Sequence, residues 1–202
     1  VSIGFESSLA STGDNNTVMG SGAFRTANGG ESDNVIIGRE AGYSIDHVDS
    51  DNNVIIGSAS GTGGGAAFSG NIVLGFRAMN STAANAQTGT IAIGQDALTA
   101  LTSGAGNVAV GYQSLKTIST GTYCTAVGYE AGELITGSLN TVIGYQAADL
   151  LASGTSNTIV GARAFGAADG SETNSTIIGA DAGSAINHDS TDGNVIIGND
   201  AG

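Results

Sequence analysis

A short β-branched run closed by glycine recurs along the whole chain. Asn-Val-Ile-Ile-Gly stands at residues 34–38, 53–57 and 194–198. Close variants fill the intervals: Asn107-Val108-Ala109-Val110-Gly111, Asn140-Thr141-Val142-Ile143-Gly144 and Asn157-Thr158-Ile159-Val160-Gly161. Self-similarity at a short period marks a repeat architecture, in which each unit buries its apolar face only by stacking on its neighbours. With the closing glycine as position 0, the anchors are Gly4, Gly20, Gly38, Gly57, Gly75, Gly94, Gly111, Gly128, Gly144, Gly161, Gly179 and Gly198, twelve repeats with steps of 16 to 19 residues. A helical repeat could not absorb unequal steps without rotating its apolar stripe away from the core. A coil joined by turns can take up the slack in the turns.

Four positions define the coil. Position −1 is large and apolar in every repeat, and position −3 is always β-branched. Side chains on a strand alternate between faces, so −1 and −3 share one face and are expected to line the interior. Position −2 then points outward, yet eleven of its twelve residues are apolar: Val18, Ile36, Ile55, Val73, Ala92, Ala109, Ala126, Val142, Ile159, Ile177 and Ile196, with Ser2 the exception. Strands apolar on both faces are covered on both faces. These eleven residues are therefore the expected oligomer interface, turned toward sister chains about a common axis. Position +3 is alanine or serine throughout, which predicts a cramped inward site in a second short strand or turn. Asparagine holds position −4 in eight of eleven repeats. Two readings stand side by side: a ladder of amides bonded at the strand spacing, or a preference for the turn before a strand.

The fold expected from this is all-β, a parallel β-solenoid (β-roll) of about twelve coils, forming one segment over residues 1–202. Coils stacked at about 4.8 Å give a rod of roughly 55 Å. Both ends of the chain lie inside a repeat, so it reads as a window on a longer fibre. A longer period points the same way. Residues 16–61 align without gaps to 157–202, an offset of 141, with 22 of 46 positions identical. The unit of duplication is thus eight coils.

Composition narrows the partners. The formal charge is −13, with Lys116 and four arginines as the only fixed cations. Nucleic-acid binding needs a basic stripe, which is absent, and an anionic membrane surface would repel the chain. No apolar run approaches the roughly 18 residues of a spanning helix, so no membrane insertion is expected in this segment. Cys124 is the only cysteine, which leaves no disulfide within the chain.

No constellation for catalysis stands out, and the chain is read as a non-enzyme. His47 and His188 lie eight coils apart. The run Gly61-Thr62-Gly63-Gly64-Gly65 lacks the lysine of a phosphate loop. No cofactor is expected unless calcium: Asp46, Asp49 and Asp51 share one turn, and Asp189 and Asp192 share its counterpart. Carboxylates at that density suit a hard cation, although neither turn has EF-hand spacing. A polysaccharide-degrading β-helix would need carboxylates on adjacent coils, and position +2 offers Glu130 beside Gln146. An ice-binding solenoid wants a flat threonine array; Thr125, Thr141, Thr158 and Thr176 stack, but in the column expected to face inward.

The pattern N-x-V-A-[IV]-G-x-x-[AS] resembles the head repeats of YadA-like trimeric autotransporter adhesins, most closely at residues 107–114 and 90–97. It is also similar to the N-T-A-V-G-Y-Q-A-L repeats of phage tail fibres, at residues 140–147 and 112–115. The resemblance implies a left-handed β-roll, a homotrimer, and an extracellular place on a cell surface or virion. The function expected is that of a structural and interaction protein: a fibre or stalk segment whose partners are copies of itself and a host surface or glycan.

Overall fold

The structure, a computed structural model, describes residues 1–8, 11–27, 29–81, 85–168, 170–186 and 192–202. Its strands are β1 (Ser2–Ile3), β2 (Thr17–Met19), β3 (Val35–Ile37), β4 (Val54–Ile56), β5 (Phe68–Ser69), β6 (Ile72–Leu74), β7 (Gln87–Thr88), β8 (Ile91–Ile93), β9 (Val108–Val110), β10 (Thr125–Val127), β11 (Thr141–Ile143), β12 (Thr158–Val160), β13 (Thr176–Ile178) and β14 (Val195–Ile197). Twelve of them form one parallel sheet in chain order, while β5 and β7 pair separately as a short second sheet. Among the described residues there is no helix. The chain is a parallel β-solenoid, as its periodicity predicts.

Each strand sits opposite the same three repeat positions of the next. Thr125, Ala126 and Val127 face Thr141, Val142 and Ile143, and these face Thr158, Ile159 and Val160. Unequal steps of 16 to 19 residues therefore leave no trace in the sheet. The loops absorb them.

The strands of the twelve-stranded sheet are no more than three residues long because left-handed residues close them at both ends. Position −5 has positive φ in every coil that has one, including Asp33 at 59°, Tyr123 at 56° and Leu139 at 63°. Positions +2 and +4 do the same, as at Glu130 (53°) and Phe165 (56°). A non-glycine residue held there costs about 1–2 kcal/mol, so the stacked coil must over-determine the turn. Position 0 is different, with φ between 131° and 145° at every anchor. A Cβ on Gly111 would stand 2.1 Å from the carbonyl oxygen of Gly128 in the next coil. Glycine at position 0 is imposed by stacking as much as by backbone angle.

The strand face is the reverse of the expected one. Val18, Ile36, Ile55, Val73, Ala92, Ala109, Ala126, Val142, Ile159 and Ile177 are at most 1% exposed within a single chain, and Ile196 packs partly against the same core. They are not an oligomer interface; they are the interior of the coil. Positions −1 and −3 point outward instead, and Met19, Ile56, Ile143 and Ile178 are each more than a third exposed. Asparagine explains the phase. Position −4 lies on the same side as −2, and its amides are buried and bonded from coil to coil. The amides can stack inside only if −2 faces inside with them. Threonine at −3 in five coils agrees, because its hydroxyl then faces water.

The rest of the interior is filled around that ladder. Position +3 is buried, as its small residues predict, but it lies in a turn and not in a second strand: the Ala41 N–H donates to Gly38 O at 3.2 Å. Positions +4 and +7 trade size in several coils. Phe24 pairs with Ala27 and Phe165 with Ala168, while Gly42 and Gly132 make room for Ile45 and Ile135. Leu98 with Leu101 and Leu115 with Ile118 are large at both positions and equally buried, so the trade is not a rule of every coil.

Candidate functional site

The acidic turns serve the coil itself. Asp51 Oδ1 accepts the Ser32 N–H of the previous coil at 2.6 Å, and its counterpart Asp192 accepts the Thr173 N–H at 2.8 Å. Asp49 stands 3.7 Å from His47 Nδ1, and Asp46 Oδ1 is buried. Asp189 and His188 lie outside the described residues. No group of three histidine, cysteine or acidic side chains is placed to hold a metal among the described residues. The carboxylates of Asp46, Asp49 and Asp51 are therefore not gathered as the calcium expectation required; Asp51 is committed to capping an amide. Cys124 is buried in the asparagine column, where loss of solvent pushes its thiol pKa up.

The surface that stands out is the outward face of the twelve-stranded sheet. Its −1 column reads Ile3, Met19, Ile37, Ile56, Leu74, Ile93, Val110, Val127, Ile143, Val160, Ile178 and Ile197 without interruption. Its −3 column is aliphatic from Val35 to Val108 and threonine from Thr125 to Thr176. The four threonines lie in direct register on β10 to β13, each flanked by an outward valine or isoleucine. Sequence reasoning placed the apolar face correctly on the strands but assigned it to the wrong column.

Beside the anchor glycine, position +1 adds aromatic rings. Tyr112, Tyr129 and Tyr145 stack at centroid distances of 5.0 and 5.5 Å. Position +2 carries polar pairs across adjacent coils. Arg163 binds Asp181 through Nε–Oδ1 at 2.7 Å and Nη2–Oδ2 at 2.6 Å, which holds the Asp181 carboxyl below its usual range and raises the guanidinium. Gln146 donates to Glu130 at 2.8 Å. At position +5, Lys116 meets Glu133 at 2.8 Å, and that bond raises the ammonium pKa. Such partly exposed pairs add little to stability.

No family model, curated protein or solved structure matches the chain. Fold and surface together define a class: a parallel β-solenoid with an unbroken aliphatic column along one outer face.

Proposed function

We propose that the chain is a segment of an extracellular fibre, adhesin-like or from a phage tail fibre, in which three left-handed solenoids pack their sheets about a common axis. The observation that carries this is the apolar −1 column running the length of the sheet, with aliphatic residues at −3 beside it. A bare strip about 55 Å long and about 10 Å wide exposes on the order of 500 Å², the upper end of what monomers show. Each valine or isoleucine covered adds roughly 1.5–3 kcal/mol, so a dozen coils supply a strong drive to associate. Catalysis has no support among the described side chains, and the reading is of a structural and interaction protein. It agrees with the likeness of the repeats to adhesin heads and tail fibres.

Sedimentation at micromolar concentration tests it. The chain is expected to run as a trimer, and Ile143→Glu on the outward column to shift it toward monomer. Val142→Ala, one residue away and inward, removes two buried carbons and should instead lower stability by about 2–3 kcal/mol and leave the trimer intact. A monodisperse monomer overturns the proposal.

One observation favours a second reading. Thr125, Thr141, Thr158 and Thr176 form an outward hydroxyl row at the strand spacing of about 4.8 Å on a regular sheet. A flat, regular row of threonines is the surface an ice-binding solenoid would need, although here each threonine is followed two residues on by valine or isoleucine and not by a second threonine. Thermal hysteresis from a monomer, abolished by Thr158→Tyr, would favour ice binding over the fibre. A trimer without hysteresis excludes it.

A further inference from the structure

The first five coils carry a groove of about 540 Å³ lined mainly at positions +1, +2 and +5, with no residue of the outward −1 and −3 columns in it. We infer that this groove binds a neutral saccharide. The inference deepens the adhesive side of the proposed function, and it uses residues that self-association does not.

The groove exists because one coil lacks a side chain where its neighbours have one. Position +2 is Glu6, Gly22 and Glu40 in three successive coils. A Cβ on Gly22 would meet Glu40 Cγ at 3.5 Å and the Tyr43 ring at 3.8 Å, ordinary contact distances, so the slot has room for a group and nothing fills it. Two ion pairs flank it. Arg25 Nε lies 3.0 Å from Glu6, and Arg39 Nη1 lies 2.9 Å from Glu40. Arg25 also donates from Nη1 to the Tyr43 hydroxyl. Phe5, 76% exposed, stands at one end.

The duplicated unit supplies an internal control. Moved by 141 residues, Gly22, Arg25, Arg39 and Tyr43 become Arg163, Gly166, Ala180 and Ser184. Every one of these groove residues has changed. The core residues between them have not: Ala23, Phe24, Ala27, Ala41 and Gly42 recur as Ala164, Phe165, Ala168, Ala182 and Gly183. In the second copy Arg163 occupies the slot and binds Asp181, the counterpart of Glu40. The hollow left there is about 320 Å³ and has no aromatic wall. The solenoid therefore does not require the groove; the first copy has it in addition.

Its chemistry selects the ligand. Two guanidiniums and two carboxylates balance, so a charged ligand would have to break an ion pair to bind. Hydroxyl groups both donate and accept, and can bond to the free lone pairs and N–H groups of both pairs as they stand. The exposed Phe5 ring offers an apolar face to the C–H side of a sugar ring, while the Arg25 guanidinium stands over the Tyr43 ring, 5.5 Å from its centroid. The volume falls within the usual range of small-molecule sites, about 300–1,000 Å³.

Titration calorimetry with maltotriose, cellotriose, mannotriose and triacetylchitotriose, all neutral, tests the inference on the intact chain. At least one should bind with roughly millimolar or tighter affinity. Gly22→Arg and Tyr43→Ser, each copying the second unit, should weaken that binding about tenfold or more. Both variants should keep the parent melting temperature and the parent oligomeric state, since the fold already accepts these residues at the equivalent positions. Failure of all four sugars to bind overturns the inference, and so does equal binding by parent and variants. Ile143→Glu separates the two proposals: it should abolish the trimer and leave saccharide binding in place.

Discussion

Gly111→Ala is expected to break the rod at its middle. The new methyl carbon would lie 2.1 Å from Gly128 O and 2.6 Å from Gly128 C, both backbone atoms. Gly128 cannot retreat cheaply, because its own N–H is bonded to Val110 O at 2.8 Å and its coil is stacked on the next. The residue also keeps a φ of 141°, a region that is essentially glycine's alone. Strain and overlap together should cost about 4 kcal/mol or more, at the exceptional end for one substitution. In a one-dimensional stack, where each coil contacts only its neighbours, a fault of this size uncouples the two sides. Urea unfolding should change from one transition to two, and limited proteolysis should cut between β9 and β10. Gly70→Ala is the control: its φ is 65°, but nothing lies within 4 Å of the added carbon. That change should cost only about 1–2 kcal/mol. Equal effects at the two sites would show that backbone angle alone, and not stacking, sets the glycine requirement.

The period, the anchors and the cramped +3 site were legible because each is a residue type that only one environment tolerates. The phase of the strand was not. Val35-Ile36-Ile37 and Val195-Ile196-Ile197 are apolar at all three positions, so hydrophobicity has no contrast from which to tell inside from outside. Two signals in the sequence do carry the phase. A buried amide at −4 must share its face with −2, and the threonines at −3 belong where a hydroxyl meets water. The left-handed turns were legible only in part. Position −5 is glycine, asparagine or aspartate in eight of its eleven coils, the types that favour positive φ. Glu40, Arg77 and Gln113 at +2 adopt positive φ as well, and there local preference gives no sign of it, because the stack imposes the conformation. The groove needed both kinds of knowledge. It depends on a missing side chain at Gly22 and on residues 17 to 18 positions away, Arg39 and Glu40, which only stacking brings alongside.

Asn53→Ala should be nearly as damaging as the glycine change, through a different mechanism. The Asn53 side chain is buried, and all of its polar capacity is used within the coil stack. Its Oδ1 accepts the Asn71 N–H at 3.0 Å and Asn71 Nδ2 at 3.2 Å, while its own Nδ2 donates to Asn34 Oδ1 at 2.9 Å and to Phe68 O. Alanine removes all four bonds and leaves the Asn71 N–H without this acceptor in a place water does not reach. Each buried group so orphaned costs about 1–3 kcal/mol, so a loss of about 3–5 kcal/mol is expected, read as a fall in the urea midpoint. The natural interruptions of the column provide the opposite experiment. Cys124 takes an asparagine's place between Asn107 and Asn140, and its thiol reaches Gly137 O at 3.3 Å where Asn140 and Asn157 send an amide to Gly154 O and Glu172 O at 2.8 Å. Its backbone N–H is already bonded to Asn107 Oδ1 at 2.9 Å, so the geometry for an amide is in place. Cys124→Asn should therefore extend the ladder and stabilise the rod by about 1 kcal/mol, the net worth of a typical hydrogen bond gained. A stabilised Cys124→Asn together with a crippled Asn53→Ala would establish the amide column as a cooperative spine. Neutral results at both sites would return asparagine to the role of a turn residue, and the burial of its side chain would need another cause.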